Sequence, residues 1–95
     1  MSEEANTAKT AEADHLELGK FYFLNNKYAE AVTEFQKVLE LNPGNAEAYY
    51  NIGLIKESAN EPGEAKEMYK KALAIKENYK IAREKLNRLI GIDNE

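Results

Sequence analysis

Reactive side chains are few in this sequence and scattered along it. The chain has one histidine, no cysteine and two serines, Ser2 and Ser58, so a nucleophile with an adjacent base has almost no material to draw on. Asp14, His15 and Glu17 stand close enough together to raise the question of a metal site. Neighbouring ligands on a helix point in different directions, however, and no second cluster completes a coordination set. Glycine loops of the kind that cradle phosphate are absent as well. The residues therefore predict no catalysis, no metal and no cofactor, and leave noncovalent binding as the chemistry to consider. The richest stretch for it is Phe21, Tyr22, Phe23 and Leu24. Successive helical side chains turn by about 100°, so these four surround their helix and one core can cover only some of them.

Length and composition limit what can position such residues. The chain has 95 residues, 43% hydrophobic and 32% charged, with two prolines and five glycines. That composition predicts one small helix-rich domain of modest stability. No apolar run is long enough to cross a membrane, and the polar, acidic start MSEEANTAKTAEA lacks the basic end and apolar stretch of a secretory signal. A cytoplasmic protein without a membrane partner is the expectation. The net charge of −4 is unevenly spread: residues 1–61 carry five Lys/Arg against eleven Asp/Glu, and residues 62–95 carry eight against six. An acidic body argues against nucleic acid, whose phosphates need a concentrated basic surface. The basic run Lys80, Arg83, Lys85 and Arg88 reads as a solvated helix face.

The sequence repeats itself. LGKFYFLNNKYAEAVTEFQKVLEL lies over IGLIKESANEPGEAKEMYKKALAI without a gap, so that Gly19 and Gly53, Ala31 and Ala65, Phe35 and Tyr69, and Leu39 and Leu73 are each 34 residues apart. Each copy divides into two helices. His15, Leu18, Gly19 and Tyr22 share one helical face, and Ala31, Phe35, Val38 and Leu39 share a second. Asn25 and Asn26 between them tolerate the left-handed backbone of a tight turn, as does Asn60 in the second copy, where Pro62 suits a first helical turn. NPGN at 42–45 ends one copy, and the next helix begins at Ala46. A helix-interior glycine costs about 1 kcal/mol relative to alanine, so Gly19 and Gly53 predict a backbone or bulky side chain too close for a Cβ. A last helix over about 79–90 carries Tyr79, Ala82, Leu86, Leu89 and Ile90 on one stripe and is ended by Gly91.

These residues resemble the tetratricopeptide repeat (TPR) family, whose pattern runs aromatic, two residues, Leu-Gly, two residues, Tyr, then Ala, three residues, Phe, then Pro. The first copy gives His15, Leu18, Gly19, Tyr22, Ala31, Phe35 and Pro43, and the second gives Tyr49, Ile52, Gly53, Lys56, Ala65, Tyr69 and Glu77. The departures are His15 in the usual Trp place, Lys56 for Tyr and Glu77 for Pro. Without that proline, a less sharp passage into the last helix is expected. The resemblance implies an all-α fold of five helices in a right-handed superhelix of antiparallel hairpins. Its parts would be a disordered tail over 1–11, repeats over 12–45 and 46–79, a capping helix over 79–90 and a short tail over 92–95.

The resemblance also implies a protein-interaction module. First helices of successive TPR repeats line a concave groove for a peptide or partner segment. On this chain the groove would be lined by Leu16, Lys20 and Phe23, by Glu47, Tyr50, Asn51, Leu54 and Glu57, and by Ile81, Lys85 and Arg88. Tyr22 would then pack within its repeat, Phe21 would reach a neighbouring helix, and Phe23 would be left for the groove. The competing reading has Phe23, Tyr50 and Leu54 extend the core of a thin domain. Chaperone-binding members clamp a terminal carboxylate with Lys, Asn, Asn, Lys and Arg. The corresponding places here are Leu16, Lys20, Asn51, Ile81 and Lys85, which argues against Hsp70 or Hsp90 tails as ligands. A self-associating module, a homodimer through the same face or through a swapped capping helix, is the alternative function.

Overall fold

The computed structural model describes the backbone of residues 3–91 and the side chains from residue 7 onward. Five helices follow one another: α1 (Glu3–Leu24), α2 (Tyr28–Leu41), α3 (Ala46–Ser58), α4 (Pro62–Ile75) and α5 (Lys80–Ile90). Each packs on the next, which makes an elongated body of 49 × 28 × 17 Å. Among the described residues there is no strand, and no helix is long and apolar enough to cross a membrane.

The turns are copies of one another because the residues that make them recur. Asn26, at φ 61°, ends α1, and Asn60, at φ 62°, ends α3. Past each asparagine a backbone N–H reaches five residues back, Lys27 to the Tyr22 carbonyl and Glu61 to the Lys56 carbonyl, both at 2.8 Å. Carbonyls left open by the helix end are thereby satisfied. Pro62 opens α4 in the first turn, where its missing N–H costs nothing. Asn45 caps α3 by accepting the Ala48 N–H at 2.9 Å.

The passage into α5 is as sharp as the passage into α3, contrary to the expectation drawn from Glu77. Asn42 N–H donates to Val38 O at 2.8 Å and Asn45 N–H to Asn42 O at 3.1 Å; Lys76 N–H donates to Ala72 O at 2.9 Å and Tyr79 N–H to Lys76 O at 3.1 Å. Pro43 and Glu77 occupy the same second position of these turns. Proline presets the backbone there, but most residues adopt the same φ at small cost.

Two apolar clusters hold the stack. Ala31, Phe35 and Val38 of α2 meet Ala48, Ile52 and Ile55 of α3, with Tyr22 of α1 packed alongside. Ala65, Tyr69, Ala72 and Leu73 of α4 meet Ala46, Ala82 and Leu86. The glycines fit as expected. A Cβ at Gly19 would lie 2.6 Å from Phe35 Cε1, and one at Gly53 would lie 2.5 Å from Tyr69 Cε1. The crowding partner is thus an aromatic side chain in both repeats.

The amino-terminal end differs from the expected tail over 1–11. From Glu3 onward the chain is helical and continuous with α1. Ala8, Ala11 and Ala13 favour helix. Residues 1–2 and the short tail 92–95 lie outside the described residues.

Candidate functional site

The first helices of the hairpins, α1 and α3, run in the same direction because each is joined to the next through one antiparallel helix. Lys20 of α1 reaches across to Glu47 of α3, with 2.7 Å between Nζ and Oε2, and lies 3.5 Å from Glu17 of its own helix. The hydrogen bond to Glu47 raises the Lys20 ammonium above its ordinary range against a smaller opposing effect of burial. One turn further along the same faces stand Phe23 on α1 and Tyr50 on α3.

Tyr50 is the centre of a tyrosine cluster. Its ring centroid lies 5.8 Å from Tyr69 of α4 and 5.4 Å from Tyr79 at the start of α5. Burial, with the Glu57 charge next, pushes the Tyr50 phenol up; burial, with Glu47 next, does the same for Tyr79. The Tyr69 hydroxyl donates to Glu57 Oε1 at 2.5 Å, and burial together with that bond raises its phenol strongly. All three therefore stay protonated through the neutral range, as hydrogen-bond donors with apolar flanks. Glu57 also pairs with Arg88 of α5, Nη2 to Oε2 at 3.4 Å. Two ion pairs, Lys20–Glu47 and Glu57–Arg88, thus run from α1 to α3 and from α3 to α5 around the tyrosines.

The structure distributes the expected lining residues unevenly. Tyr50, Glu57 and Arg88 are linked through Tyr69, and Lys20 is paired separately with Glu47. Asn51 is 6% exposed and donates Nδ2 to the Glu47 carbonyl at 2.8 Å, so its side chain folds back on its own helix. Leu16 and Phe23 are half-buried against the first cluster, and the Phe23 ring lies 5.7 Å from Tyr28. Leu54 is half-buried against the second cluster. Ile81 and Arg88 are exposed and Lys85 is half-buried. Phe21 does not reach a neighbouring helix: it is 58% exposed, because no described helix packs on that side of α1.

Two features escaped the sequence reading. Tyr79 belongs to the cluster around Tyr50, although it was placed only on the stripe of the last helix. Glu57 is fixed by the one hydroxyl that separates Tyr69 from its counterpart Phe35, and that difference between the copies was the available signal. His15, considered above with Asp14 and Glu17, lies instead 2.6 Å from Glu34 Oε1 of α2, a helix-to-helix contact in the place of an aromatic.

The comparisons with known proteins agree with this architecture. A family model described as TPR repeat matches residues 19–60, and one described as tetratricopeptide repeat matches residues 46–79. No curated protein matches the chain by sequence. Among solved structures, MamA aligns with a TM-score of 0.79 at 27% identity, over 85% of this chain and 49% of that one. The Cut9–Hcn1 hetero-tetramer of APC/C aligns with a TM-score of 0.81 at 27% identity, over 86% of this chain and 16% of the other. The first TPR of Spaghetti (RPAP3), bound to the HSP90 peptide SRMEEVD, aligns with a TM-score of 0.77 over 84% of this chain and 64% of the other. Its 22% identity makes that likeness one of fold. This chain spans about half the length of the MamA chain and less than two thirds of the other two. The repeated hairpins, the glycines under aromatic rings and the two family matches make this chain a member of the tetratricopeptide repeat family, an all-α protein-interaction module.

Proposed function

We propose that the wall formed by α1, α3 and α5 binds an extended or helical segment of a partner protein, without catalysis. The observation that carries this reading is the pair of ion bridges that join the three helices around Tyr50. At the surface such pairs add little stability, roughly 0–1 kcal/mol each. Their effect is to neutralise Lys20, Glu47, Glu57 and Arg88 against one another, which leaves apolar and aromatic surface as the main source of affinity. Tyr50, Phe23, Leu54 and Ile81 supply the apolar contacts, and the Tyr50 hydroxyl and the Lys85 ammonium supply orientation. A partner segment with an aromatic or branched anchor fits that lining. A terminal carboxylate fits it poorly, because Leu16 and Ile81 bring no donor.

The test is a screen of linear peptides, with the best binders then titrated against variants. Tyr50→Ala and Phe23→Ala are each expected to lose more than about 1 kcal/mol of binding free energy if they act as anchors. Unchanged affinity in both, with the fold intact, removes them from the site. The peptide SRMEEVD is the control ligand, expected to bind no better than a scrambled sequence.

A further inference from the structure

The helices α1, α3 and α5 can be laid over one another at the 34-residue offset, and the comparison isolates one face. On α3, Ala48, Ile52 and Ile55 pack against α2 and are 0%, 6% and 3% exposed. On α5, Ala82 and Leu86 are buried against α4 in the same way, with Leu89 half-buried beside them. The corresponding residues of α1 are Asp14, Leu18 and Phe21. Leu18 is 39% exposed and Phe21 is 58% exposed, and among the described residues the aromatic ring that Phe21 pairs with is Tyr22 of its own helix, at 6.1 Å between centroids.

The other end of the stack is built differently. The outward positions of α5 that correspond to Tyr49 and Gly53 are Arg83 and Asn87. A side chain at the glycine place prevents an aromatic ring from pressing onto α5 as Phe35 and Tyr69 press onto α1 and α3. One end is therefore finished mainly with polar residues, with Ile90 at its margin, while the other keeps the docking face of an inner helix.

We propose that the Leu18–Phe21 face of α1 docks an amphipathic helix of a partner protein, one that presents the kind of stripe α2 presents to α3. The interface inside the chain specifies the chemistry of the occupant. Ala31, Phe35 and Val38 of α2 lie in the cluster that covers Ala48, Ile52 and Ile55, so the partner helix carries small, aromatic and branched residues at spacings of three and four. Asp14 stands where α3 and α5 have alanine, and favours a partner with a basic residue beside that stripe. A second copy of this chain is a poorer occupant, because its own α2 and α4 stripes are already covered by α3 and α5. The face is separate from the wall around Tyr50 and does not depend on the reading given for that wall.

The probe is a side-chain-stapled helical peptide of the chain's own residues 28–41, titrated against the whole chain. Saturable binding of one peptide per chain is expected, weakened at least about tenfold by Leu18→Asp combined with Phe21→Asp and unchanged by Tyr50→Ala. Circular dichroism and Tm check the fold of the double variant, and the milder Phe21→Ser takes its place if it unfolds. Absence of binding overturns the proposal, as does binding that survives these substitutions or disappears with Tyr50→Ala. A concentration-dependent dimer in sedimentation, abolished by the same double variant, assigns the face to a second copy and overturns it as well.

Discussion

A single added methyl group at Gly19 or Gly53 meets the edge of an aromatic ring that has no room to withdraw, since Phe35 and Tyr69 are fully buried. Alanine gains about 1 kcal/mol of helix propensity over glycine, whereas overpacking a filled core costs about 1–3 kcal/mol. Gly19→Ala and Gly53→Ala are thus expected to lower stability, and Phe35→Leu is expected to relieve the first of them; thermal unfolding of the single and double variants measures both. Glu34 gives a pH-dependent counterpart. Burial opposes its charge, but hydrogen bonds from His15 and then Lys37 outweigh burial, and its carboxyl lies below its ordinary value of 4.5. A carboxyl lowered by folding contributes stability above its unfolded pKa, and that contribution disappears as pH falls through the folded one. The stability gap between the wild type and Glu34→Gln is therefore expected to be full above about pH 5 and to close on acidification below the ordinary carboxyl value, in urea titrations at a series of pH values. The glycine contacts were legible because an unexplained glycine inside a helix asks for a close neighbour. The His15–Glu34 pair was not, since its partners are 19 residues apart and their meeting depends on how α1 rotates against α2.

At the level of elements, the hairpins rest on turn chemistry that can be tested one turn at a time. Asn26 and Asn60 hold left-handed backbone, which costs an ordinary side chain about 1–2 kcal/mol. Alanine at either position is expected to destabilise by about that amount, and the two losses should add, since the turns belong to separate hairpins. The link between the repeats has a second support. Asn42 and Asn45 both donate to one carboxylate oxygen of Glu12, at 2.8 and 2.7 Å, and so tie the loop after α2 back to α1. Glu12→Ala is expected to cost about 1.5–3 kcal/mol by chemical denaturation, the range for hydrogen bonds to a charged group. Helices and turns were readable because each is decided within a few residues by asparagine, proline, glycine and apolar period. Glu12 was not, because its partners are 30 and 33 residues away. The start of α1 was missed for another reason: alanine-rich and acidic residues without a marked apolar stripe read as tail, although their helix propensity is high.

For the molecule as a whole, the C-terminal helix decides whether the stack is closed. Leu86 is buried against α4, and truncation of such a leucine costs about 2–5 kcal/mol, a large share of the roughly 5–15 kcal/mol expected for a small domain. Leu86→Ala is thus expected to leave a marginal fold with a much lower Tm, whereas Arg83→Ala on the outward side changes little. The wall around Tyr50 was legible only as a set of positions. Which members meet, Lys20 with Glu47 and Glu57 with Arg88, follows from the relative placement of α1, α3 and α5 and leaves no local trace. Among their buried residues the two apolar clusters share one helix, with Ala48, Ile52 and Ile55 of α3 in the first and Ala46 in the second, and Met68 of α4 adds a partly buried contact to the first. Separation of either outer pair from α3 then takes from the opposite cluster little more than the Met68 contact. Amide hydrogen exchange should accordingly be slowest along α3 and progressively faster toward both ends, with denaturant accelerating the two flanks by independent openings.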